Sequence, residues 1–190
     1  MNIFVLSTGR CGSVTFNEAC GHIDNFSSAH ESQARILGDD HFSYPKNHIE
    51  IDNRLSWFLG RIDKKYGTEA YYVHLQRDET KTAASYAKRF GSGIIRGYAK
   101  GMMMGKHPKS EAMEVCLDYC KTVNSNIELF LKDKPHKMTI HLETAKVQFV
   151  DFWDWIGAEG NIEQALAEWD TDHNRTHERF ENVKKLFKTP

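Results

Sequence analysis

The stretch FVLSTGRCGSVTF, residues 4–16, constrains the fold more than any other part of the chain. The apolar run Ile3, Phe4, Val5, Leu6 has no polar alternation, so it reads as a strand buried on both faces. It breaks into Gly9 and Gly12 around a lone Arg10, and a helical pattern begins at Ser13. A strand, a glycine turn and a helix in this order form a cradle for anions. Backbone N–H groups converge there, and the helix dipole adds roughly half a positive charge. Glycine, without a Cβ, lets the backbone close around a phosphate. Ser13 and Thr15 offer hydroxyl donors, and Arg10 offers a forked cation.

The remaining strand signals are few: AYYVHLQ at 70–76 and KMTIHLE at 137–143, besides residues 2–6. Helical patterns lie between and after them, at 48–65, 79–90, 110–132, 146–156, 161–169 and 174–187. Strands alternating with helices imply βα units. The expectation is a single α/β domain over 1–190, with three layers and a small, mostly parallel sheet flanked by helices. The 190 residues suit one domain with a real core.

Composition excludes several classes. At 40% hydrophobic and 27% charged, the chain is neither disordered nor fibrous. A net charge of −1 lacks the basic excess of a nucleic-acid binder. No apolar run reaches the roughly 20 residues that span a bilayer, and MNIFVLSTG has no basic leader, so a cytoplasmic protein is expected. Cys11, Cys20, Cys116 and Cys120 then read as reduced thiols, the last two sharing a helix face as small buried hydrophobes. Trp57, Trp153, Trp155 and Trp169 sit in amphipathic segments and read as core. His173 and His177 have a zinc-compatible spacing without a third ligand, and NRT at 174–176 is a sequon without meaning in a cytoplasm.

The triphosphate-binding pattern G-x-x-x-x-G-K-[ST] does not fit. Two residues separate Gly9 from Gly12, Ser13 stands where a lysine is required, and YYVHLQRD reaches Arg77 before Asp78 instead of ending in a magnesium-binding aspartate. A nucleotide kinase or hydrolase is therefore the second reading. LSTGRCGSVTF instead resembles the 5′-phosphosulfate loop of sulfotransferases that use 3′-phosphoadenosine 5′-phosphosulfate (PAPS), with Arg10, Cys11, Gly12 and Ser13 matching the basic–small–Gly–Ser element of the carbohydrate and tyrosylprotein branches. Val14 departs from it, where many members carry a second hydroxyl. A separate stretch, VHLQRDETKTAASYAKRF, is similar to the family's 3′-phosphate grip: Arg77 at a strand end and Ser85 in the next helix. Asp78 suits the N-cap, positions 78, 81, 82 and 85 share a face, and Glu79 replaces the family's proline. IHLETAKVQFVDFWDWIGAEG, with Glu143, looks like the family's late strand, acidic turn and helix.

The resemblance implies a nucleotide hydrolase-like P-loop fold and in-line sulfuryl transfer from PAPS, leaving PAP. It implies a cofactor site at Thr8, Gly9, Arg10, Cys11, Gly12, Ser13, Val14, Thr15, Arg77 and Ser85, with Arg10 stabilising leaving-group charge. For the base, Glu31 in SSAHESQAR is the first candidate and His30 the second. His48 and Glu50, in KNHIEIDNR at the head of a helix, compete with them. The segment GSGIIRGYAKGMMMGKH, 91–107, is a candidate lid over a small-molecule or carbohydrate acceptor. For this superfamily the chain is short, which leaves a covering region to a second subunit, as in a homodimer, or marks a degenerate PAP-binding interaction module.

Overall fold

The computed structural model describes residues 1–171 and 173. Five strands form one sheet: β1 (Asn2–Leu6), β2 (Ser27–His30), β3 (His48–Ile51), β4 (Tyr71–Gln76) and β5 (Lys137–His141). They lie in the order β2-β3-β1-β4-β5, every pair parallel. The chain leaves β1 toward β3 and β2 on one side, then crosses to β4 and β5 on the other. That reversal opens a crevice beyond the carboxyl end of β1, where open α/β sheets bind ligands.

Among the described residues seven α-helices cover the sheet: α1 (Ser13–Cys20), α2 (Leu59–Tyr66), α3 (Glu79–Ala87), α4 (Gly93–Gly97), α5 (Ala112–Leu131), α6 (Ala145–Ile156) and α7 (Ile162–Ala167). Side chains alternate across a strand, so β1 feeds two cores. Ile3 and Val5 pack with α1, α6 and α7, while Phe4 and Leu6 pack with α2, α3 and α5. Three layers follow, with the first strand buried on both faces as its unbroken apolar run requires. Among the described residues no helix is long and apolar enough to cross a membrane.

Two strands differ from the sequence reading. The 48–65 pattern is not one helix: residues 48–51 form β3, 53–57 a 3₁₀ turn, and α2 starts only at Leu59. Ile51, Leu55, Phe58 and Ile62 fit a helical stripe and also a strand followed by two turns, and periodicity alone does not separate those cases. β2 is a four-residue edge strand, SSAH, with no apolar run to announce it. His48 and Glu50 are therefore strand residues rather than the head of a helix. The late elements fall near their expected ranges, although the helix read at 174–187 lies outside the described residues. All four cysteines are free and buried, Cys116 and Cys120 among them on α5. The methionines of 91–107 do not fill the core: Met102, Met103 and Met104 are exposed.

Phe16 ties α1, and thus the loop before it, to the far layer. It is fully buried, with ring centroids 5.4 Å from Phe149, 5.1 Å from Phe152 and 6.0 Å from Trp169. Phe16→Ala is expected to destabilise the protein by about 3–5 kcal/mol, read as a lower urea midpoint at unchanged slope.

Candidate functional site

The first carbonyls of the turn between β1 and α1, those of Ser7, Thr8 and Gly9, are bonded from inside the protein. Tyr86 Oη and Tyr119 Oη both donate to the Thr8 carbonyl, at 2.6 and 2.8 Å, and Ser56 Oγ donates to the Ser7 carbonyl at 3.1 Å. The Gly9 carbonyl accepts from Thr8 Oγ1 and Cys11 Sγ. Gly9, Arg10 and Gly12 have φ of 80°, 60° and 84°, with Cys11 outside that region between the last two. Such alternation of hand points successive N–H groups to one side as an anion-binding nest. A Cβ at Gly9 would collide with the Tyr86 hydroxyl, and one at Gly12 with Leu142. Gly9 is therefore required by packing as well as by φ, and Gly12 by its φ. Gly12 is also the N-cap of α1 and has no side chain to cap it. The first-turn N–H groups of Ser13, Val14 and Thr15 thus have no side-chain acceptor at the cap.

Two distant segments meet over this turn. Arg10 Nε donates to Ser85 Oγ at 3.1 Å across 75 residues of sequence, and Arg77 Nη1 donates to the Arg10 carbonyl at 3.2 Å. Asp78 caps α3 through a 2.8 Å bond from the Lys81 N–H. On α3, Lys81, Ser85 and Lys88 follow at i, i+4 and i+7, one face of the helix. The start of α6 closes the other side with Thr144 and Lys146.

Together they enclose a cleft of about 1010 Å³ carrying Arg10, Arg77, Lys81, Lys88 and Lys146, with Glu143 as its one carboxylate among the described residues. Glu143 bonds the Asp78 N–H and lies 3.4 Å from Lys81, while Lys146 pairs with Asp170. A cleft with this charge excess and two uncapped helix starts, at Gly12 and Thr144, suits a ligand with several negative charges.

No family model and no curated protein matches this chain.

Of the cofactor residues read from sequence, Arg10, Gly12, Ser13, Val14, Thr15, Arg77 and Ser85 line the cleft. Thr8, Gly9 and Cys11 lie beneath the turn, the Thr8 hydroxyl 3.0 Å from the Cys11 thiol. Ser85 meets Arg10 rather than Arg77, so the two motifs interlock.

The base candidates separate. His30 Nε2 is 3.0 Å from Ser13 Oγ, at the edge of the turn. Burial pushes its pKa down, against the pull of Glu31 and Glu50. Glu31, at φ 56°, forms a 2.7 Å ion pair with Arg54. Glu50 is fully buried, accepting from the Ser32 N–H and hydroxyl and lying 3.1 Å from His48, whose other ring nitrogen meets Ser27 Oγ. Those two side chains hold β2 against β3 and do not reach the cleft.

The sequence shows no strong apolar strand ending in aspartate, yet a short buried strand, HIEI, does precede one. β3, directly beside β1, is followed by Asp52, whose Oδ1 accepts from the Arg54 N–H at 2.7 Å while Oδ2 has no partner. Lys81 and Lys88 were also missed, although their spacing from Ser85 on a helix was readable. Lys146, Tyr86 and Tyr119 had no sequence signal, since only the fold brings them to the turn. Among the described residues no cluster could hold a metal ion, and His177 lies outside them.

Burial raises the Asp52 carboxyl to about 6, against the favourable Arg54 N–H. The folded state then keeps a proton that the unfolded chain releases near its ordinary value of about 3.9. Stability from this residue falls as pH rises from about 4 to about 6 and is flat above. Asp52→Asn, measured by urea unfolding across that range, should gain on the wild type by an amount on the order of 2 kcal/mol.

Proposed function

We propose that this protein is a sulfotransferase that moves a sulfuryl group from PAPS to an acceptor hydroxyl. The observation that carries the reading is the contact between Arg10 and Ser85, which joins two motifs of separate sequence origin on one cationic cleft. In this reading the turn N–H groups, Ser13 and Arg10 hold the 5′-phosphate end, and Arg77 with Ser85 holds the 3′-phosphate. PAPS supplies the sulfuryl group and departs as PAP. The nest and the Arg10 guanidinium stabilise charge on the departing phosphate oxygen as its bond to sulfur breaks. His30 accepts the proton of the acceptor hydroxyl as the new oxygen–sulfur bond forms. It is preferred to Glu31 because it touches Ser13, whereas Glu31 is committed to Arg54.

A second reading, a magnesium-dependent nucleotide kinase or hydrolase, is favoured by Asp52 at the end of the strand beside the turn. Calorimetric titration separates the two. PAP should bind without added metal, and Arg77→Ala should weaken it about 10- to 100-fold through lost charge-assisted hydrogen bonds. Tight binding of magnesium–ATP with no binding of PAP would move the protein to the second reading. For the chemical step, His30→Gln should lower turnover about 10²-fold while PAP affinity stays at its wild-type value. A Glu31→Gln variant with the larger loss would transfer the role of base to Glu31.

A further inference from the structure

The peptides of the β1–α1 turn are held one after another. The Ser7 carbonyl is anchored by Ser56, that of Gly9 by Thr8 and Cys11, and that of Arg10 by Arg77. The Thr8 carbonyl differs in taking two phenols from two helices, Tyr86 on α3 and Tyr119 on α5, where one buried donor would satisfy it. In a planar trans peptide the carbonyl and the following N–H point opposite ways. Fixing the Thr8 carbonyl therefore fixes the Gly9 N–H, which bonds Ser7 Oγ at 3.0 Å. That peptide leads directly into Gly9, whose φ of 80° is the first positive value of the nest.

Tyr86 and Ser85 are neighbours on α3 and hold the turn at two places. Ser85 Oγ accepts from Arg10 Nε, and Tyr86 Oη donates to the Thr8 carbonyl. Ring contacts fix the phenols: the Tyr119 centroid is 5.4 Å from those of Tyr86 and Tyr98 and 6.3 Å from that of Trp57. Burial pushes the pKa of both phenols up, so each keeps the hydrogen that it donates. Neither lines the cationic cleft, and any effect on a bound anion passes through the turn. Tyr98 supplies an internal comparison. It belongs to the same ring cluster, but its hydroxyl bonds Asp118 and Thr122 instead of the turn. Its ring lines a second cavity, apolar and of about 660 Å³, whose Arg54 and Arg61 are paired with Glu31 and Asp39.

We infer that Tyr86 and Tyr119 are positioning residues for anion binding: through the Thr8 carbonyl they set the conformation in which the turn holds a phosphate, without touching the ligand themselves. Tyr86→Phe and Tyr119→Phe each leave one donor on the carbonyl, so each should weaken PAP binding only about twofold to threefold. The double variant leaves a buried carbonyl without a partner and should weaken it at least about 30-fold, well beyond the product of the two single losses. Tyr98→Phe should lower the melting temperature and leave PAP affinity at its wild-type value. In ligand-free protein the Thr8 carbonyl-carbon resonance should move in both single variants and stay in place in Tyr98→Phe, a measurement that decides the matter alone if the double variant does not fold. Wild-type PAP affinity in the double variant, single losses that multiply to the double loss, or a Tyr98→Phe loss as large as that of Tyr119→Phe would overturn the inference. So would an unmoved Thr8 resonance in either single variant. The inference rests on the proposed function only for the choice of probe. If magnesium–ATP binds and PAP does not, that function is removed, and the same pattern of losses measured with magnesium–ATP upholds the positioning role.

Discussion

Two tyrosine hydroxyls converge on one carbonyl oxygen, that of Thr8, and the rest of the site depends on this junction. A carbonyl has two lone pairs, and here both are used by buried donors. Tyr86 comes from α3 and Tyr119 from α5, so the turn after the first strand is held from the layer opposite α1. With its carbonyls drawn inward, the turn can present its amides to the cleft. The same helix that supplies Tyr86 also supplies Lys81, Ser85 and Lys88. One helix thus both holds the turn and carries part of the cleft wall.

Two of the cavities differ in character. One is cationic and framed by helix starts, and the other is apolar with its charges already balanced. His30 touches Ser13 at the edge of the turn, and Glu31 beside it is paired with Arg54.

Much of this was readable from residues alone, for physical reasons. β1 was visible because burial on both faces demands an uninterrupted apolar run, and the turn because Gly9 and Gly12 mark positive φ. Asp78 at the start of α3 was visible because short acceptors satisfy first-turn amides. β2 and β3 were hidden. Ser27–His30 is a polar edge strand, and His48–Ile51 merges with a helical stripe. His48 and Glu50 looked like candidate bases because sequence does not reveal that a strand buries them against each other. Asp52 was lost with β3.

The central claim is that the amides of the β1–α1 turn face the cleft and bind the phosphate end of a nucleotide while Arg77 binds the other end. Backbone-amide NMR during a titration with PAP tests it most directly. The account predicts that the largest downfield shifts fall on Gly12, Ser13, Val14 and Thr15, with the Arg77 guanidinium resonance moving at the same ligand concentration. Shifts confined to the exposed lysines, with the turn amides unmoved at saturation, would contradict it.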